Sequence, residues 1–136
     1  MTKEQFLTHE YLVNILSGGT YGNSAVQITY SCCNEKDFTE NIKHVFEAAG
    51  KTICSEDMWA AIILAGGKIR IYDQYAEEED GEAHYKDVCK ADFEAAFNLW
   101  RDNSPRHYAD FCEGDDDFYT GWSFLQYLQF GEIIYG

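Results

Sequence analysis

Two six-residue stretches constrain this chain more than any others: residues 25–30, AVQITY, and residues 68–73, KIRIYD. In each, apolar and polar side chains alternate. Val26, Ile28 and Tyr30 fall on one side, Gln27 and Thr29 on the other. A period of two marks a strand with one face in a core and one toward water. Residues 83–88 can return as the second arm of a hairpin after the second strand. A sheet this small needs helices to cover it.

Most of the remaining chain has helical period. Leu7, Tyr11, Leu12, Ile15 and Leu16 predict a helix over 3–17, with Gly18-Gly19 as its stop. Phe38, Ile42, Val45, Phe46 and Ala49 form the inward stripe of a helix over 36–49, ended by Gly50. Ser55 is placed to cap a helix through Ala65, and Gly66-Gly67 to end it. The stretch AEEEDGEA, 76–83, reads as a charged turn. Phe93, Ala96, Phe97 and Trp100 mark a helix over 91–101, and Pro105 opens a short one through Phe111. Asp117 is placed to cap a last helix, 118–130, with Gly131 as its stop. The expected architecture is one α+β domain over residues 1–136, a small antiparallel sheet packed against several helices. Its core should include Trp59, Ile62, Phe97, Trp100, Trp122, Leu125 and Leu128. Phe130, Ile133, Ile134 and Tyr135 are too apolar for a free tail. They should fold back onto this core, or pack against a second copy in a homodimer.

Charge is the next constraint. The 136 residues carry a net charge of −14, and no basic cluster exists to hold a phosphate backbone, so direct nucleic-acid binding is not expected. Between Asp73 and Asp117 there are fifteen acidic and four basic residues, a local net of −11. A domain of this mass exposes roughly 7,000 Å². If that segment covers about a third of it, the density is on the order of one net charge per 200 Å², within a factor of about two of duplex DNA. Two runs dominate: Glu77, Glu78, Glu79, Asp80 and Glu82, then Glu113, Asp115, Asp116 and Asp117. They read either as solvated turns that keep the protein soluble or as an acidic binding face. The face would be drawn from Glu77, Glu78, Glu79, Asp80, Glu82, Asp115 and Asp116, and its partner would be a protein with a basic surface.

Motifs for other chemistry are sparse. The start, MTKEQF, lacks a signal peptide's apolar run, and no stretch reaches membrane-span length, so the expectation is a cytoplasmic protein with no membrane partner. Cys32, Cys33, Cys54, Cys89 and Cys112 contain no CxxC pair and read as reduced thiols. His107 and Cys112 are close enough in sequence for a nucleophile pair, but nothing nearby completes a triad. The run 115–117 lacks the alternating ligands of a calcium loop and suits a helix N-terminus instead. Neither double glycine builds a phosphate loop. No catalytic residue, metal site or cofactor is expected.

Three stretches carry a resemblance: LSGGTYGNS (16–24), LAGGKIRIYD (64–73) and PRHYADFCEGDDDFYTGWSFLQYLQFGEIIYG (105–136). The chain resembles a family of small proteins of bacteriophages, prophages and conjugative elements of gut bacteria. In that family the first double glycine is followed by an aromatic residue, the second precedes a strand ending in Asp, and the C-terminal part ends in Phe-Gly-Glu-x-x-Tyr-Gly. TYGNS departs from the family's usual Tyr-Trp pair. The resemblance implies an origin, an accessory protein of a mobile element working in the cytoplasm of a bacterial host, rather than an activity. Together with the acidic face, small size and aromatic richness, it leads to the expectation of a protein that binds and inhibits a host protein. Blocking restriction or CRISPR machinery as an acidic nucleic-acid mimic would be one such role. The alternative is a sponge for a small molecule or nucleotide signal, which would need arginines, and only Arg70, Arg101 and Arg106 exist.

Overall fold

Both alternating stretches are strands. In the computed structural model, which describes all 136 residues, β1 (Val26–Thr29), β2 (Ile69–Asp73) and β3 (Tyr85–Val88) form one antiparallel sheet with β2 in the middle. Val26 lies opposite Asp73, Ile28 opposite Ile71, and Ile69 opposite Val88. Alternation along β2 sends Ile69, Ile71 and Asp73 into the core and leaves Arg70 and Tyr72 half-exposed. On that outer face Arg70 donates two hydrogen bonds to Asp87, at 2.7 and 3.0 Å, and its guanidinium lies 3.9 Å over the Tyr85 ring. A paired arginine flanked by a ring seals one side of a three-stranded sheet without apolar bulk.

Eight helices surround the sheet: α1 (Lys3–Phe6), α2 (His9–Thr20), α3 (Lys36–Ala48), α4 (Ser55–Leu64), α5 (Gln74–Asp80), α6 (Lys90–Asn103), α7 (Pro105–Glu113) and α8 (Phe118–Phe130). α8 is the axis of the molecule. Every residue from Thr120 to Leu128 is buried, because α2, α6, α7 and β3 enclose it. Asp117 Oδ1 accepts the Thr120 N–H at 3.0 Å, and Gly131 ends the helix at φ +77°, as the sequence suggests. Around α8 the core is largely aromatic. Phe6 stacks on Phe97 at 4.8 Å, and Trp100 meets Phe111 and Phe124 edge-on. The Trp100 indole N–H finds the Ser123 hydroxyl at 3.0 Å, so the ring is buried without an unmet donor. All seven expected core residues are buried.

Four local expectations change. The first helix is two, broken at Leu7 and Thr8, and α1 owes its existence to a reciprocal cap between Thr2 and Gln5. Gly18 and Gly19 do not stop α2; they lie inside it. A Cβ on Gly19 would stand 2.5 Å from Leu125 Cδ1 and 2.8 Å from the Gly121 oxygen, so these glycines let α2 and α8 approach backbone to backbone. Cys54, not Ser55, stands at the cap of α4, and the Asp57 carboxylate accepts from its N–H at 3.4 Å and from its thiol at 3.1 Å. Residues 76–83 are not a turn, since 74–80 form α5, started by Asp73 and ended by Gly81 at φ +74°.

Candidate functional site

α5 is a helix whose charges oppose it. Glu78, Glu79 and Asp80 occupy its last turn, where the helix dipole disfavours carboxylates, and no basic residue answers them there. What holds α5 is uncharged or lies at its ends. Asp73, only 6% exposed, accepts the Ala76 N–H at 3.1 Å. Gly81 takes the left-handed turn, and its N–H reaches Glu77 at 2.7 Å. Tyr75 packs edge-on to Trp122 and to Tyr135.

Beyond Gly81, Asp80 accepts the Glu82 N–H at 2.9 Å and pairs with His84 at 2.7 Å. The Glu82 N–H, and next the His84 ring, hold the Asp80 carboxyl below its usual range, and that carboxylate raises His84. Glu77, Glu78, Glu79 and Glu82 have no lysine, arginine or histidine within salt-bridge distance, and neither have Asp115 and Asp116. Asp80, Glu82 and His84 bring one ligand atom each within 4.8 Å of one another, all exposed to solvent.

Asp115 and Asp116 lie in the exposed link between α7 and α8. No hydrogen bond or ion pair joins them to α5; aromatic rings lie between. Phe118 packs on Trp122 at 5.5 Å, Trp122 stacks near-parallel on Tyr135 at 6.2 Å, and Tyr135 meets Tyr75 at 5.2 Å. The seven acidic residues therefore sit at two ends of a strip of rings. Asp117 is set apart from its neighbours by its cap, and the Thr120 N–H holds its carboxyl low.

The C-terminal tail closes this strip within the same chain. Gln126, buried in α8, accepts the N–H groups of Ile134 and Tyr135 at 2.9 and 2.8 Å. The Tyr135 hydroxyl donates to Asp73, with its oxygens at 2.8 and 3.0 Å. Burial, and next the Asp73 carboxylate, push the Tyr135 phenol up to about 12. Ile133 and Ile134 stay half-exposed beside it. Sequence reasoning singled out the tail but missed its receptor. The signal was Gln126, a lone amide between Leu125 and Leu128 that has to find partners once buried.

Two other constellations differ in geometry from a nucleophile–base pair. His107 and Cys112 make no hydrogen bond to each other; Cys112 is exposed, and His107 Nδ1 is buried without a partner. Cys54 donates to Asp57 at 3.1 Å, and Asp57 pairs with His9 at 2.8 Å. There the carboxylate stands between thiol and imidazole. Asp57 raises the Cys54 thiol, the opposite of what a nucleophile requires. No helix is long and apolar enough to cross a membrane. No family model, no curated protein and no solved structure matches this chain.

Proposed function

We propose that this protein is an accessory protein of a bacterial mobile element that binds a basic surface of a host protein through its acidic face and blocks it. The face comprises Glu77, Glu78, Glu79, Asp80 and Glu82 on and after α5, with Asp115 and Asp116 across the aromatic strip. One observation carries the proposal: Glu78 and Glu79, without cationic partners, share the C-terminal turn of a two-turn helix with Asp80, whose one partner is His84, and carboxylates there cost stability. A solubilising charge has no reason to sit there, whereas a face that meets Lys and Arg on a partner does. A host protein that normally holds nucleic acid has a surface of that kind, and the density of charge here is suited to compete for it.

The rival role, a nucleotide sponge, has less support. None of the four surface clefts is lined by an arginine. Lys36 and Lys43 share one open cleft of about 220 Å³, with Glu40 beside them.

The test compares wild type with a variant carrying Glu77→Ser, Glu78→Ser, Glu79→Ser and Asp80→Ser for capture of host proteins from bacterial lysate. Expected are capture of nucleic-acid-binding proteins near 0.1 M salt, where the screening length is about 10 Å, and loss near 1 M, where it is about 3 Å. Duplex DNA should release them, and the variant should capture far less. Equal capture by both proteins at both salts would reject the acidic face.

A further inference from the structure

Beside the aromatic strip lies a cleft of about 180 Å³ between α7, α8 and the C-terminal tail. Its walls include the rings of Tyr119, Trp122 and Tyr135, with Ile133 at one side and His107 within it. The volume is below that of ordinary small-molecule pockets, roughly 300–1,000 Å³, and suits a side chain better than a free cofactor.

Most of its polar groups are already committed. The Ser104 hydroxyl pairs with Tyr127, Ser123 bonds to Trp100 and Thr120, and Gln126 holds the tail. The exception is His107 Nδ1, which has no partner. The ring planes of Trp122 and Tyr135 are 15° apart. Nearly parallel rings offer flat π faces of one orientation, and the surroundings are anionic: Asp117 caps the helix that carries Tyr119 and Trp122, and Asp73 lies behind Tyr135.

Flat aromatic walls within a negative field, with an unpaired imidazole nitrogen buried beside them, describe a site for a planar cation carrying N–H donors. We infer that this cleft is an anchoring subsite for one arginine side chain of the basic partner, its guanidinium lying along the Trp122 and Tyr135 rings under Tyr119. An N–H reaches His107 once the imidazole turns toward the cleft. Lysine fits less well, because its compact ammonium cannot lie along a ring face and direct a fork of donors to one side. The same chemistry occurs within the chain, where Arg70 lies over Tyr85. This inference rests on the acidic-face reading for its partner, but the cleft can be tested apart from it.

The test uses the full chain and N-acetyl-arginine amide, followed by NMR. Saturable shifts at the Trp122 indole and the Tyr119 and Tyr135 rings are expected, with a millimolar dissociation constant. Tyr119 is 60% exposed, so Tyr119→Ala keeps the fold and should weaken binding about tenfold. N-acetyl-lysine amide should bind several-fold more weakly. Shifts that never saturate, or equal binding of the lysine amide, would overturn the subsite. A deca-arginine peptide separates the two proposals. If it loses affinity when the four α5 carboxylates become serine but not in Tyr119→Ala, the cleft is not an anchor and the acidic face stands. If it loses affinity only in Tyr119→Ala, the cleft stands and the acidic face falls.

Discussion

α3 and α8 are each thirteen residues long and have opposite fates. α3 has the cleaner amphipathic pattern, with Phe38, Ile42, Val45 and Phe46 on one stripe and charges elsewhere. Yet none of its residues is buried, and Val45 is 70% exposed. α8 has little pattern, because TGWSFLQYL is apolar or small on nearly every side, Gln126 excepted, and it is the most enclosed element of the fold. Periodicity records which face of a helix would be covered. It does not record how fully that face is covered, since Phe38 and Ile42 rest partly buried against the core while Val45 stands out, and a helix covered on all sides loses the pattern altogether.

The sharpest way to break this contrast is at the glycine seam. Gly121→Ala places a Cβ against the backbone of Gly18 and Gly19, where no flexible side chain can yield. A loss of roughly 3 kcal/mol is expected, the upper end for an overpacked core, read by urea denaturation. A melt unchanged from wild type would mean that α2 and α8 do not approach so closely.

A smaller effect is expected at the tail that lies over α8. Tyr135→Phe removes hydrogen bonds to a buried carboxylate and should cost about 1.5–3 kcal/mol. The phenol is raised when folded, so its contribution is complete below its ordinary value of about 10 and is lost as pH rises through about 12. Wild type should therefore lose stability over that window relative to the phenylalanine variant. Parallel pH curves would show that the Tyr135–Asp73 contact does not form.

The smallest effect belongs to α3. Val45→Ser should change stability by no more than about 0.5 kcal/mol, as expected for an exposed position. Amides of α3 should exchange with solvent well before those of α8. A cost above about 1 kcal/mol would mean that Val45 is covered in solution, for instance by a second copy.

Where the chain is legible, the signal is local. Alternation located β1 and β2, Asp117 and Gly131 bounded α8, and the spacing of Phe97 and Trp100 placed them in the core. What stayed hidden depends on distant residues. Gly18-Gly19 looks like a helix stop until Gly121 is brought against it. The stretch 76–83 looks like a turn because its charges repel, and the Asp73 and Gly81 caps with the packing of Tyr75 on α8 and the tail make 74–80 helical. The acidic residues were readable as a run, whereas the rings of Tyr75, Trp122 and Tyr135 that link the two runs come from α5, α8 and the tail and meet only in the fold.

The glycine seam also sets an order of events as the chain is made. Gly19 and Gly121 are about a hundred residues apart, and synthesis proceeds at about 5–20 residues per second. Once α2 has emerged, α4 can pack against it first, but its Gly18-Gly19 face waits roughly 5–20 seconds for α8. During that interval the growing chain exposes that face to whatever else is nearby. Meanwhile α6 and α7, adjacent in sequence, can begin to gather Phe93, Phe97, Trp100 and Phe111, since short loops close at little entropic cost. Folding then finishes when α8 arrives between a partly formed aromatic cluster and a helix that was synthesised long before it.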